Sequence, residues 1–136
     1  MATIEDVYKF FKEEAPTYFL ATVDENGNPR VRAFGTVDLF EDKLYIQTGK
    51  AKPVYQQILA HPRVEICGCK GADWWRINCE LVPDDRVEAK KHMLDNYPGL
   101  RKMYDENDDN TIVLYMKDAT AKFESLAGKP AEVVEF

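Results

Sequence analysis

The sequence lacks a disulfide framework, a long apolar segment and an excess of positive charge. Its three cysteines are an odd number without the spacing of a cysteine-rich secreted domain, so we expect reduced thiols in a cytoplasmic protein. Lys and Arg number 18 against 24 Asp and Glu, and the resulting net charge of -6 argues against a general nucleic-acid partner. No stretch approaches the roughly 20 apolar residues of a membrane helix. Nucleic-acid and membrane partners are therefore not expected.

The sequence also lacks nucleotide-binding glycine motifs, a C-x-x-C pair and an H-E-x-x-H zinc motif. Its two histidines are His61, before a proline at a helix end, and His92, in a charged helix. Cys67 and Cys69 share one strand face, but the further ligands that a zinc site needs are missing from the pattern. We expect no metal site, and no side chain stands out as a general acid or base.

The hydrophobic pattern predicts one domain over residues 1–136, mainly β with helices. Apolar spacing and end signals indicate three helices, over residues 3–14, 53–61 and 85–97. Alternating or continuous apolar runs indicate strands over residues 17–24, 30–40, 44–48, 64–69, 74–82, 111–116 and 120–123. Lys117 and Asp118 are expected to turn a hairpin between the last two of them. Consecutive hairpins with few helices favour an antiparallel barrel over a doubly wound parallel sheet.

Segment 47–53 connects a predicted strand to a predicted helix and gathers groups that suit an anion. Thr48 offers a hydroxyl, Lys50 and Lys52 offer ammonium groups, and the new helix exposes free N–H groups. Arg32 on the preceding strand could add a guanidinium to the same phosphate. A turn with solvated lysines would give the same pattern, so the segment alone does not establish a binding site.

Trp74-Trp75-Arg76 is a second constellation with two interpretations. Strand alternation puts Trp75 on one face and Trp74 with Arg76 on the other. A flat aromatic ring beside a guanidinium could border a planar, partly anionic ring system. A core Trp75 with Trp74 at a subunit interface explains the pattern equally well.

Several short motifs, in order along residues 17–123, together resemble the pyridoxamine 5'-phosphate oxidase-like FMN-binding split barrels. Within that family, the motifs are similar to those of the small members that are grouped with nitroimidazole reductases and general stress proteins. The motifs are Phe19–Val23, Asn26–Arg32, Leu44–Thr48, Lys50-x-Lys52-Pro53, Gln57, His61–Ile66 and Trp74-x-Arg76-Ile77.

The resemblance implies a six-stranded antiparallel Greek-key split β-barrel that forms a homodimer with one FMN at each of two interface sites. It implies that the strand with residues 32–35 lies along the flavin and that Thr48, Lys50 and Lys52 hold its phosphate. It also implies that the Trp74-x-Arg76 motif lies beside the flavin. The cofactor-binding residues implied in this way are Arg32, Ala33, Phe34, Gly35, Gln47, Thr48, Lys50, Lys52, Trp74 and Arg76.

We interpret the sequence as an FMN-binding flavoprotein, most simply an oxidoreductase acting on a small molecule. The alternative is a non-catalytic flavin- or haem-binding carrier or stress protein, and a deazaflavin could replace FMN in the same fold. Cys79-Glu80 stands where small relatives often have Gly-Lys. The paired C-terminal arginines of pyridoxamine 5'-phosphate oxidase itself are missing, so we do not expect a true oxidase of that substrate.

Overall fold

A computed structural model describes residues 1–136 and contains eight strands and three α-helices. A π-helical turn, Phe10–Glu14, extends the first helix, and a 3-10 turn, Pro98–Lys102, follows the third. The helices are α1 (Ile4–Lys9), α2 (Pro53–Ala60) and α3 (Val87–Asn96). The strands are β1 (Tyr18–Val23), β2 (Pro29–Phe34), β3 (Asp38–Phe40), β4 (Lys43–Gly49), β5 (Arg63–Lys70), β6 (Asp73–Asp84), β7 (Thr111–Ser125) and β8 (Glu132–Glu135).

All strand pairs are antiparallel and form one sheet in the order β2-β1-β5-β6-β7-β4-β3, with β8 added to β7. The two outermost strands, β2 and β3, are consecutive in the chain and are joined by residues 35–37 only. Three residues span about 10 Å at most. The two ends of the sheet must therefore curl towards each other, which produces the expected antiparallel split barrel.

The barrel encloses one main apolar core to which α1, α2 and most strands contribute. Of its 23 buried residues, Leu20, Ile66, Ile77 and Ala121 form a row of directly paired positions across four strands, and all are at most 1% exposed. Residues one position away on the same strands point outward. The predicted faces of β6 are confirmed, because Trp75 is buried and Arg76 is exposed.

The expectation of one strand over residues 30–40 is wrong. The chain leaves the sheet after Phe34 and re-enters it at Asp38, so that β2 pairs with β1 whereas β3 pairs with β4. The apolar alternation continues through the break in the sequence, but Val31 and Ala33 are exposed whereas Val37 is buried, and the two halves lie on opposite edges of the sheet. Across a break between two strands, alternation fixes neither the face that a residue occupies nor the neighbour with which it pairs.

The expected hairpin at Lys117 and Asp118 is also wrong, since β7 runs unbroken through both residues. Asp118 does take a positive φ of 49°, and the register with β6 shifts between Asn78 and Glu80. This irregularity is a β-bulge that bends the strand rather than reversing it. With β2 and β3 separate, β7 continuous and β8 added, the seven strands predicted from the pattern become eight, whereas the resemblance implied six.

No helix in the structure combines the length and the apolar character that crossing a membrane would require.

Candidate functional site

A cavity of about 380 Å³ opens where the C-terminal ends of β2 and β4 approach the start of α2. This volume is within the usual range for small-molecule sites. Its walls have two chemical characters: the end of β4 and the N-cap of α2 supply polar groups, whereas the end of β2 and the chain after α3 supply mainly apolar and aromatic ones. The lining residues are Ala33, Phe34, Gly35, Thr36, Gln47, Thr48, Lys52, Tyr97, Leu100, Met103 and Tyr104.

The corner between β4 and α2 is held by the loop before β7. Asn110 accepts a hydrogen bond from the amide of Lys50 through its carbonyl and from the amide of Ala51 through its side chain. A Cβ on Gly49 would lie 2.8 Å from the Asn110 side-chain nitrogen, so this close approach favours glycine. The corner therefore has a defined backbone conformation.

The carboxylate of Asp108 organises that loop. Burial disfavours its charged form, but hydrogen bonds from the amides of Thr111, Asp105 and Asn110 outweigh this effect and lower its pKa to about 2. The loop that positions Gly49 is consequently held by a charge throughout the neutral pH range.

Thr48 carries a buried hydroxyl that has no hydrogen-bond partner in the chain. The residue is 2% exposed and lines the cavity. Its neighbour Gln47 does not satisfy it, because the Gln47 amide donates to the Thr48 carbonyl oxygen at 3.1 Å instead. A buried hydroxyl without a partner is uncommon and destabilising, so a ligand acceptor in the cavity would complete this group.

Lys52 stands at the N-cap of α2, with Pro53 in the first turn of the helix. It lines the same cavity as Thr48 and makes no salt bridge. The free N–H groups and positive dipole end of α2 add to its charge. The donor set of Thr48, Lys52 and α2 suits a phosphate or another anion.

Arg32 does not line this cavity. Its guanidinium donates to the carbonyl oxygen of Leu20 at 3.1 Å, to the Thr22 hydroxyl at 2.7 Å and to the Gln57 side-chain oxygen at 2.7 Å. Burial, followed by repulsion from Arg30, lowers the pKa of Arg32, and no carboxylate pairs with it. Arg32 therefore fixes the middle of α2 to β1.

Lys50 also lies outside the lining. Its ammonium group pairs with Asp85 at 3.0 Å, and this hydrogen bond raises the pKa of Lys50. Asp85 binds Lys90 of α3 as well, at 2.5 Å. In this arrangement Lys50 connects the corner to α3.

Trp74 and Arg76 lie on the outer face of the sheet. A row of directly paired residues crosses that face from Ala33 through Phe19 and Cys67 to Arg76. Three strand intervals separate Arg76 from β2, which is about 14 Å at the usual strand spacing. Arg76 there pairs with Glu65 and Glu124, both at 3.2 Å. Within one chain neither residue joins the cavity.

The structure thus brings six of the ten predicted residues together: Ala33, Phe34, Gly35, Gln47, Thr48 and Lys52. Thr36 and the whole wall after α3 were not predicted from the sequence. The signal for that wall was weak: Leu100, Met103 and Tyr104 are apolar residues at helical spacing within a polar stretch. Nothing local to that stretch indicates which surface it covers.

The histidines and cysteines lie elsewhere. His61 ends α2, and His92 is exposed on α3 with its Nδ1 2.6 Å from the buried carboxylate of Asp38. Burial raises the pKa of Cys67 and, to about 12, that of Cys79, which disfavours their thiolate forms. The chain contains no group of three His, Cys, Asp or Glu residues placed to hold a metal ion.

A family model described as pyridoxamine 5'-phosphate oxidase matches residues 4–97, which is more than half of the chain. The chain belongs to the pyridoxamine 5'-phosphate oxidase family. The matched region contains all six cavity residues that were predicted and ends at Tyr97, where the wall after α3 begins. A comparison with curated proteins finds no match.

Solved structures agree with this family. A NimC/NimA family protein from Clostridium acetobutylicum is 33% identical, with a TM-score of 0.89 over 97% of this chain and 92% of its own. General Stress Protein 26 from Bacillus anthracis is 15% identical (TM-score 0.75, covering 98% of each chain). A pyridoxamine 5'-phosphate oxidase-related, FMN binding protein from Nostoc punctiforme is 22% identical (TM-score 0.68, covering 93% of this chain and 83% of that one). The last two share the fold.

Two further solved structures with this fold carry the names of other cofactors. One is an F420 reductase, 20% identical with a TM-score of 0.57 over 82% of this chain and 94% of its own. Another is a heme binding protein from Mycobacterium smegmatis, 14% identical with a TM-score of 0.68 over 94% of this chain and 56% of its own. Proteins with this fold are therefore named for FMN, for F420 and for heme.

Proposed function

We propose that this protein binds FMN in the cavity between β2, β4 and α2 and acts as a homodimeric flavin oxidoreductase. The unpartnered hydroxyl of Thr48, buried in the same cavity that Lys52 lines, is the observation that carries the proposal. Thr48, Lys52 and the start of α2 would hold the phosphate. Ala33, Phe34 and Gly35 would border the flavin. When bound, the flavin would supply the electron-transfer chemistry.

A second subunit would complete this site. Ala33 is exposed although it lines the cavity, and β1 and β2 carry Phe19 and Val31 outward at 45% and 68% exposure. Trp74 and Arg76 are too far from the cavity of their own chain, so only a partner's copies of these residues could reach the flavin. An apolar outer sheet face of this kind is typical of a dimer interface.

The protein's own contribution to chemistry at this cavity would be positioning and polarity rather than acid–base catalysis. Its lining contains no aspartate, glutamate or histidine. The same observation favours our second candidate, a flavin carrier without turnover. Oxidation of reduced nicotinamide in the presence of FMN-loaded protein and a quinone acceptor would distinguish the two.

The Thr48→Val variant tests the proposal directly, because valine keeps the shape and removes only the hydroxyl. We expect FMN affinity to fall about tenfold or more, as for a lost hydrogen bond to a charged group. We expect the stability of the free protein to stay the same or rise, since no protein partner is lost.

Thr3→Val is the matched control for this experiment. The Thr3 hydroxyl donates to Asp6 at 3.2 Å at the start of α1, outside the cavity, so its loss should destabilise the fold while leaving FMN affinity within about twofold. Fluorescence titration of FMN and urea unfolding measure both quantities. Unchanged FMN affinity in Thr48→Val would overturn the proposed phosphate site.

The absorption spectrum of the purified protein identifies the cofactor. Oxidised flavin maxima would support FMN, the distinct spectrum of a deazaflavin would support an F420-type cofactor, and a sharp Soret band would support haem. A colourless protein that does not respond to added FMN would contradict the proposal. Mass spectrometry of the released cofactor confirms the assignment.

We further predict that the FMN-loaded protein does not turn over pyridoxamine 5'-phosphate at a useful rate. This substrate carries its own phosphate, and Lys52 is the only charged residue that lines the cavity. A second dianion would meet no free cation there and would be repelled by the first. Turnover of about 1 per second or faster at micromolar substrate, measured as pyridoxal phosphate formation, would contradict this prediction.

We also propose that the protein resides in the cytoplasm. Its three cysteines are all free in the structure, which is typical of a reducing compartment.

A further inference from the structure

The wall of the cavity after α3 differs from the phosphate end in having no charge. Tyr97, Leu100, Met103 and Tyr104 contribute aromatic and apolar surface. The two cations of this stretch do not line the cavity: Arg101 binds Asp95 at 2.7 Å and Glu106 at 2.6 Å, and Lys102 is an exposed residue outside the lining. The end with Lys52 therefore suits an anionic group, and the wall after α3 suits an uncharged one.

Two residues of this wall differ in how they are held. The Tyr97 hydroxyl accepts from the amide of Val37 at 3.0 Å and donates to its carbonyl at 3.2 Å, and Lys12 lies 3.5 Å from the centre of the Tyr97 ring. Tyr97 is thus fixed to the barrel. Met103, by contrast, lines the cavity and is still 72% exposed, which places it at the mouth.

We infer that the four lining residues Tyr97, Leu100, Met103 and Tyr104, called here the apolar wall, select an uncharged, flat aromatic substrate, and that Met103 is a specificity-determining residue. A methionine side chain is flexible and polarisable, so it adapts to aromatic rings. Covering it would remove apolar surface from water. An anionic substrate would have to lose hydration against Leu100 and Met103 without gaining a cation. This inference rests on the proposed flavin site.

Two probes that share one ring system test the selection: neutral 2-naphthol and anionic 2-naphthyl phosphate. Their dissociation constants are measured by probe fluorescence with FMN-loaded protein, in which the phosphate end is occupied. We expect 2-naphthol to bind about tenfold tighter or more. In Met103→Lys the new cation should reduce that preference by about tenfold or more, as a charge-assisted hydrogen bond would.

Two variants serve as controls. Met103→Leu keeps an apolar mouth and should keep the preference, whereas Leu126→Lys adds the same charge at a residue that is 84% exposed and outside the cavity. The inference is overturned if the wild type binds the phosphate probe as tightly as 2-naphthol. It is also overturned if Met103→Lys leaves the ratio unchanged, or if Leu126→Lys changes it equally.

FMN affinity is measured separately for every variant. Loss of FMN binding by the wild type would overturn the proposed function, whereas normal FMN binding with no effect of Met103→Lys would overturn only the inference about the apolar wall. If the wild type does not bind FMN, the inference about the apolar wall is overturned together with the proposed function on which it rests.

Discussion

At the scale of single residues, charge at the cavity depends on one lysine. Lys50, two positions earlier, is held by Asp85, and the Arg32 guanidinium is turned towards Thr22 and Gln57. Lys52 alone combines a place in the lining with the dipole end of α2. A ligand phosphate would thus depend strongly on this side chain.

The Lys52→Ala variant should lower FMN affinity by about tenfold to over a hundredfold. This range corresponds to roughly 1.5–3 kcal/mol for a charge-assisted hydrogen bond. Isothermal titration with FMN measures the change, and circular dichroism checks the fold. Lys70→Ala removes the same charge at an exposed residue outside this cavity and should leave the affinity unchanged. Unchanged affinity in a folded Lys52→Ala protein would contradict the prediction.

Asp84 illustrates a buried charge that stabilises the fold. The guanidinium of Arg86 and the hydroxyl of Tyr45 bind this carboxylate, and their hydrogen bonds outweigh burial and lower its pKa to about 2. Its native pKa is thus below the value of about 3.9 expected in the unfolded chain. The stabilisation is therefore present above about pH 4 and is lost as the pH falls towards 2.

The Asp84→Asn variant should be less stable than the wild type by about 2.5 kcal/mol at pH 7, since each pKa unit corresponds to about 1.4 kcal/mol. The difference should shrink between about pH 4 and pH 2. Urea unfolding across this range measures it. Asp109→Asn, at an exposed residue, should show no such loss at neutral pH. A difference between wild type and Asp84→Asn that is independent of pH would contradict the linkage.

At the scale of elements, the packing of the N-terminal helix against β5 depends on a glycine. A Cβ on Gly68 would lie 2.5 Å from Cε1 of Phe11 and 3.1 Å from Cβ of Ala15. Phe11 is 2% exposed and makes edge-on ring contacts with Phe10 and Tyr18, so its ring has no free space into which to move. The π-helical turn that carries Phe11 therefore packs against β5 only where the strand has no side chain, at Gly68.

The Gly68→Ala variant should lower the free energy of unfolding by roughly 1–3 kcal/mol, as overpacking of a core usually does. Gly99→Ala is the matched control: nothing lies within 4 Å of its added Cβ, so its stability should stay the same or rise slightly. Thermal and urea unfolding compare both with the wild type. If Gly68→Ala were as stable as the wild type, Phe11 and its helix would be able to move away from β5 without losing stability, and the prediction would be wrong.

At the scale of the whole molecule, the outer face of β1 and β2 is apolar and uncovered. Phe19 and Val31 project from it, and Ala33 connects it to the cavity. The same face continues to Trp74 and Arg76 across β5 and β6. A second copy on this face would bury the apolar residues and carry its own Trp74 towards the flavin.

We predict a stable homodimer at micromolar concentration, and the Phe19→Asp variant should convert it to monomer because a buried unpaired charge opposes association. Leu126→Asp places the same charge at an exposed residue outside this face and should leave the dimer intact. Sedimentation velocity measures the masses. A wild-type monomer that still binds FMN at micromolar concentration would refute the prediction.

Much of the secondary structure followed from local signals that act within a few residues. Thr3 and Asp6 start α1 as predicted, with the Thr3 amide donating to Asp6 at 2.8 Å, and Pro53 starts α2. Alternation correctly placed Trp75 and Arg76 on opposite faces of β6. The expected hairpin at Asp118 was wrong, because a residue with positive φ is compatible with both a turn and a bulge, and only pairing with β6 distinguishes them.

The sequence by itself determined the β-rich class, the family motifs and the strand-to-helix corner that carries Thr48 and Lys52. Only the tertiary structure decided that β2 and β3 lie on opposite edges, that Asp85 holds Lys50, and that the apolar wall closes the cavity. Caps, turns and alternation depend on neighbours in the chain. The position of β3 opposite β2, the Asp85–Lys50 pair and the apolar wall each depend on residues that are distant in sequence. These residues come together only when the sheet curls into its barrel.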